Sequence, residues 1–352
     1  MPKDLLGPLY TKVAKKVLTE TLHVQKGESV TLEAWDNGLP FARRALAEAR
    51  ALGCTAVMIY EDEAAYVEGV RRSPAESLGA MGKNEYGLLS GTDAYIFVPG
   101  QALGAYSRTL KPDERERSTR YNSSWYDAAE KAGLRGARLS FGYVGKDMAG
   151  FLGKRVSDVV AAQLDGALAD FGGITRSAER VAPLLADGAD AEVASGRNSL
   201  RLSLRGSLTV EDGVVDDNDR KVGDNMAYVP PGFASRDVDP GSANGRVTLT
   251  SSLTRFGVVG RADLEFKDGN LVAWESDKEA TVRRLLDLVP PEKRKITSLL
   301  VGLNPRLKNG FGADRFVAGN VTLGGFGFVG QVRKSTLRVS GSEALTEGKL
   351  HA

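Results

Sequence analysis

Apolar positions recur along the first half of the chain with helical spacing, interrupted by short apolar runs of strand length. Leu5, Leu6, Leu9, Val13 and Val17 share one helical face between residue 4 and about residue 20, with Lys12, Lys15 and Lys16 elsewhere. Ser29 to Trp35 reads as a strand. Leu39 to Leu52 carries a stripe of Leu39, Ala42, Leu46 and Ala49 and meets Gly53 where a helix C-cap belongs. Thr55 to Tyr60 and Ala94 to Val98 read as buried strands, and Ala137 to Phe141 as a fourth. A long helix is predicted from Pro112 to Gly133, its acidic first turn complementing the helix dipole and its DERER run forming a solvated face. Lys146 to Phe171 reads as further helix, interrupted near Gly150 and Gly153. Strands alternating with helices imply parallel pairing through right-handed crossovers. Residues 1 to 180 are therefore expected to form an α/β domain, a parallel sheet with flanking helices.

After Gly172-Gly173 the period shortens. Leu200 to Leu204, Arg246 to Thr250, Ala262 to Phe266 and Leu271 to Trp274 are short alternating segments. Asp212-Gly213 and Asp268-Gly269 are hairpin signals between them. One helix, about Lys278 to Leu288, interrupts the series. Residues 181 to 352 are expected to form a β-rich α+β domain.

Composition changes this picture little. The chain has 352 residues, 42% hydrophobic and 26% charged, as in ordinary globular proteins, and is long enough for two cores. Lys and Arg number 47 against 45 Asp and Glu, a net +2, so bulk charge gives no reason to expect nucleic acid or an anionic membrane. Cys54 is the only cysteine, which excludes an internal disulfide and fits a reducing compartment. No apolar run approaches the roughly 20 residues that span a bilayer. The lysine-punctuated N-terminal stretch lacks the apolar core of a signal peptide. A cytoplasmic location is expected.

Histidine is scarce: His23 follows the first helix and His351 lies in a polar tail, and neither is expected to carry chemistry. Gly325 to Gly330 matches GxGxxG formally. A dinucleotide loop must open a helix, whereas the continuation QVRKSTLRVSG is strand-like, so a packed β element is expected.

Three segments stand out together: Asn225 to Gly245 (NMAYVPPGFASRDVDPGSANG), Thr297 to Pro305 (TSLLVGLNP) and Asp314 to Phe328 (DRFVAGNVTLGGFGF). Their order and spacing, with Trp125 to Phe141 before them and TLRVSG after, resemble the thermophilic metallo-aminopeptidase family of the aminopeptidase S and aminopeptidase T type. The resemblance covers most of the chain and is most specific over residues 210 to 325. The family's metal ligands are not matched. Its first Glu position is Phe233, next to Gly232. Its second, ahead of Gly302-Leu303-Asn304-Pro305, is Ser298. The His after Gly319-Asn320-Val321 is Thr322, and a later His-x-Asp falls on Gly327 and Val329.

Phe, Gly and Val side chains supply no metal donor, and neutral hydroxyls replace carboxylate poorly. Asp237, Asp239 and Asp314 lie near these positions and read as turn or surface carboxylates. The resemblance thus implies a divergent, catalytically degenerate, metal-free homologue without cofactor, with a binding, structural or assembly role. In it Phe233, Ser298, Thr322, Gly327 and Val329 mark a remodelled pocket. It also implies a homodimer, with an active paralogue or a peptide-like ligand as further partners. The alternative is an aminopeptidase-like hydrolase, or another enzyme, using a non-standard site in the same cleft.

Overall fold

The computed structural model describes residues 6–74, 77, 80–101 and 110–351. They form two compact units, and the chain passes between them more than once. One unit takes residues up to 150, Lys154–Leu168 and Gly213–Pro230, and the other takes Phe151–Gly153, Ala169–Asp212 and the rest from Pro231. The single boundary suggested at residue 180 compares with this interleaved division.

In the first unit the initial stripe folds as α1 (Gly7–Lys16), continued by one π-helical turn. Its buried face is Tyr10, Val13, Ala14 and Val17. Leu5 lies outside the described residues. Leu9 is only half-buried, because the Tyr10 ring takes the inward place, 6.0 Å edge-on from Phe41. Next come β1 (Ser29–Trp35), α2 (Leu39–Ala51), β2 (Thr55–Glu61), α3 (Glu63–Arg72), α4 (Lys83–Ser90) and β3 (Ala94–Val98). The predicted long helix is α5 (Pro112–Ala132), and β4 (Arg135–Leu139) starts two residues before the expected Ala137. There the Arg135 amide donates to the Asp93 carbonyl at the entry of β3.

Helices α6 (Lys146–Phe151), α7 (Val156–Ala167) and α8 (Phe171–Val181) precede β5 (Asp190–Ser195) and the long β6 (Asn198–Glu211). The chain then returns to the first unit with α9 (Asp217–Lys221) and β7 (Met226–Val229). Asp212-Gly213 is therefore no tight hairpin: the strand that pairs back antiparallel on β6 begins only at Phe233. The strand that comes next, β7, instead closes the first unit's sheet, whose order is β2-β1-β3-β4-β7 with every pairing parallel. Val30, Leu32, Ala34, Ile96, Ala137 and Leu139 bury one face of it. On the other face α4 and α5 pack over Tyr95 through Leu89, Ala128 and Ala129.

The second unit continues through β8 (Phe233–Val238), β9 (Asn244–Leu249), β10 (Ser252–Thr254), β11 (Gly257–Val259), β12 (Ala262–Lys267), β13 (Asn270–Ser276) and α10 (Glu279–Leu286). It ends with β14 (Ser298–Gly302), β15 (Val321–Gly324), β16 (Val329–Val332), β17 (Thr336–Val339), β18 (Ser342–Thr346) and β19 (Lys349–Leu350). These strands pair antiparallel, and the main sheet runs β16-β15-β14-β8-β6-β5-β17-β18-β19, with β9, β12 and β13 branching from β6. Asp268-Gly269 makes the predicted tight hairpin between β12 and β13, with φ of +48° and +75° as a type I′ turn requires. The GxGxxG segment joins β15 to β16 and opens no helix. Among the described residues no helix is long and apolar enough to cross a membrane. The fold is thus a parallel α/β unit followed by a largely antiparallel one.

Candidate functional site

Strand pairing in the first unit aligns one row of side chains across the sheet: Glu33 beside Phe97, Phe97 beside Arg138, Arg138 beside Tyr228. Neighbouring strands lie about 4.8 Å apart, so the Glu33 and Arg138 backbones stand roughly 10 Å from one another with Phe97 between them. A cavity of ≈ 270 Å³ opens over this row. Its wall is mostly aromatic, with Trp35, Tyr66, Trp125, Tyr126 and Tyr143 around the two charged residues. Trp35 meets Tyr66 edge-on at 4.9 Å, and Trp125 meets Tyr126 at 5.4 Å. The place is the one an open parallel sheet offers to ligands. In the order β2-β1-β3 the connections diverge between β1 and β3, and the cavity lies by the carboxyl ends of those strands, at Trp35 and Pro99-Gly100.

The two charges are held differently. Arg138 donates from Nε to the Tyr143 hydroxyl at 2.6 Å and from Nη1 to the Tyr126 hydroxyl at 2.9 Å. Its guanidinium carbon lies 5.2 Å from the Phe97 ring centre and 5.4 Å from that of Tyr143. Burial alone would weaken its charged form, but Tyr143, Tyr126 and Tyr228 more than offset this, and the guanidinium stays charged above its ordinary range. No carboxylate among the described residues pairs with it.

Glu33 accepts a hydrogen bond from the Tyr95 hydroxyl. Burial pushes its carboxyl above the usual glutamate range. The Tyr95 bond and the Trp35 indole pull back, while Glu61 and Glu85 add repulsion. The Trp35 N–H stands close enough to favour the carboxylate yet completes no hydrogen bond. Tyr228 is pushed up to about 12, chiefly by burial. The cavity therefore sets a firmly held cation opposite a carboxyl that keeps its proton to higher pH than an ordinary glutamate.

The positions singled out by the family resemblance lie in the second unit. Antiparallel pairing puts Phe233 opposite Gly302, Thr322 opposite Leu300, and Ser298 and Val329 both opposite Gly324. Phe233, Ser298, Thr322 and Val329 accordingly share one face of four adjacent strands. Phe233 stacks on Phe316 at 5.2 Å in a cluster with Leu307 and Ala313. Thr322 is buried with its hydroxyl unpartnered, Val329 is exposed, and Gly327 lies in the β15–β16 turn with φ +118°.

The motif frame around them has a structural use. Asn304, fully buried, donates from Nδ2 to the Pro231 carbonyl at 2.8 Å, and its Oδ1 accepts from the Arg306 and Leu307 amides. The Pro-Pro-Gly and Gly-Leu-Asn-Pro segments are thereby clasped together. Asp237, near the end of β8, accepts the Ser207 amide, and Asp239, just beyond that strand, accepts the Gly241 amide. Of the turn or surface roles expected, Asp314 takes the turn role but is buried: it gathers the Gly310 and Phe311 amides and pairs with Arg333 at 2.5 Å. Among the described residues no three His, Cys, Asp or Glu side chains gather as a metal site would need.

Glu33 and Arg138 were not singled out from the sequence, although a signal existed. Strands covered on both faces read as near-continuous apolar runs. SVTLEAW and ARLSF each interrupt that run with one charged residue near the strand's carboxyl end.

No family model and no curated protein matches this sequence. Solved structures do. AmpT from Thermus thermophilus, a thermophilic aminopeptidase, superposes with a TM-score of 0.64 over 99% of this chain and 100% of its own, at 15% identity. The fold is aminopeptidase-like. It is shared as closely by 2,5-dihydroxypyridine dioxygenase from Pseudomonas putida KT2440, with a TM-score of 0.65 over 98% of each chain and 15% identity. Similarity at this identity speaks for the fold, and the chemistry has to be argued from side chains.

Proposed function

We propose that this protein is a metal-free, catalytically degenerate homologue of the thermophilic aminopeptidases whose role is to bind a ligand. The observation that carries the reading is the packing of Phe233 against Phe316, where a metal ligand is expected from the resemblance. A stacked phenyl pair excludes water and offers no lone pair, so this end of the sheet contributes packing in place of Lewis-acid chemistry. Ser298 and Thr322, on the same face, are neutral. A homodimer in the cytoplasm belongs to the same reading, which size-exclusion chromatography with light scattering tests for assembly.

The deciding experiment is elemental analysis of protein purified without chelator and then challenged with zinc, cobalt and manganese, alongside a peptide-hydrolysis assay. The reading expects substoichiometric metal and no release of amino acids. Two metals per chain, with hydrolysis, would overturn it.

A second reading, an enzyme with a non-standard site, is favoured by Glu33. A carboxyl with a raised pKa in a concave pocket suits general acid–base work. Turnover abolished by Glu33→Gln would support that reading over simple binding.

A further inference from the structure

We infer that the cavity over the first unit's sheet binds a small planar anion, an arene carboxylate, with its charge on Arg138 and its ring between the aromatic walls. This deepens the binding role proposed above by naming the ligand class. The argument begins with an imbalance. A guanidinium removed from water needs compensation, ordinarily a carboxylate. Arg138 instead has two phenol oxygens and ring faces, which are weaker partners than an anion. Those bonds occupy Nε and one Nη1 hydrogen, so three of the five N–H groups that arginine offers remain. Nη2 has no hydrogen-bond partner among the described residues. Arg138 lines the cavity, where its planar fork can receive carboxylate oxygens.

Shape and wall chemistry narrow the class. At ≈ 270 Å³ the cavity lies just below the about 300–1,000 Å³ usual for small-molecule sites, which suits a single ring better than an extended peptide. Trp35, Phe97 and Trp125 offer ring surface, so a flat π-system gains contact that a saturated ring of equal charge does not. Glu33, two strands from Arg138 on the same row, repels an anion less while it keeps its proton, and its carboxyl can then hydrogen-bond a polar substituent at the far end of the ring.

The test uses the full-length protein and benzoate as probe. Trp35 and Trp125 line the cavity and are two of the three tryptophans in the chain, so intrinsic fluorescence reports occupancy, with calorimetry as a second readout. Saturable quenching by benzoate is expected, with weaker binding by benzamide, which lacks the charge, by cyclohexanecarboxylate, which lacks the plane, and by inorganic phosphate, which lacks the ring. Arg138→Met should weaken benzoate about a hundredfold, and Arg138→Lys, which keeps the charge but not the fork, should fall between. Circular dichroism and thermal melting establish that both variants are folded; should the Met variant unfold, the Lys variant and the probe series decide alone.

Benzamide binding as tightly as benzoate, a folded Arg138→Met variant with unchanged affinity, or no saturable signal with benzoate in the millimolar range would each overturn the inference. Metal analysis of the same preparation separates the two readings. Stoichiometric metal with benzoate binding intact removes only the metal-free reading, and absent metal with absent benzoate binding removes only this one.

Discussion

At the scale of single residues, Glu33 gives the sharpest consequence. Its folded-state pKa lies above the ordinary 4.5 because burial disfavours the carboxylate, and Glu61 and Glu85 reinforce this against the opposing Tyr95 bond. Between 4.5 and the raised value the folded chain holds a proton that the unfolded chain has released. Stability therefore falls as pH rises through that window and stays lowered above it. Glu33→Gln removes the buried charge and keeps an oxygen to accept from Tyr95. Its stability gain over the parent should be absent below the window, grow through it and level off above. Urea unfolding of both proteins across the pH range measures the difference; a constant difference, or a loss at alkaline pH, would show that the charge is not the cause. Only part of this was legible in the sequence. A glutamate inside an apolar strand is visible there, but its neighbours Tyr95, Glu61 and Glu85 come from β3, β2 and α4. Only the pairing of strands and the packing of α4 over the sheet bring them together.

At the scale of elements, the stretches read most accurately were those whose pattern is local. The C-cap beyond α2, the Asp268-Gly269 turn and the helix after Pro112 each follow from the residues within one segment. The motif frame was legible in another way: PPG and GLNP could be recognised in the sequence, but their mutual clasp through Asn304 could not. Gly302, at the end of β14, makes the packing of the following loop against that strand testable. A Cβ there would meet the Val317 carbonyl oxygen at 2.2 Å and that of Arg315 at 2.9 Å. These are backbone atoms, which cannot swing aside. Gly302→Ala should therefore destabilise by about 3 kcal/mol, the range of a severe core defect. Ser298→Ala, on the same face of the same strand but half-exposed, should change stability by less than about 0.5 kcal/mol. Similar midpoints in urea for the two variants would mean that the loop after Gly302 is not held against the strand as described.

At the scale of the whole molecule, the interleaved path of the chain decides what can fold alone. A cut at residue 180 looks natural in the sequence, where the hydrophobic period changes. The change is real, but it falls in the Ala169–Asp212 stretch, after which the chain returns to the first unit. β7 belongs to the first unit's sheet and is only four residues long, too short and too far along the chain to be assigned by local pattern. A fragment of residues 1–180 lacks it. Such a fragment leaves the outer edge of β4 unpaired from Gly136 to Leu139 and removes Met226 and Tyr228 from beside Arg138. An open strand edge with apolar neighbours invites association between copies. The 1–180 fragment should therefore aggregate or bind a hydrophobic dye, with β4 amides exchanging rapidly. A fragment of residues 1–230, which restores β7, should protect those amides and recover the near-ultraviolet signal of the tryptophans. If 1–180 is monomeric, unfolds cooperatively and protects β4 as the full chain does, then β7 is an accessory to a sheet already complete. The Arg138 cavity would then have to be argued from four strands alone. If protection returns only with residues 213–230, the late strand is what completes both the sheet and the cation's surroundings. Binding in the Arg138 cavity would then depend on a segment that the chain supplies only after its Ala169–Asp212 stretch in the second unit.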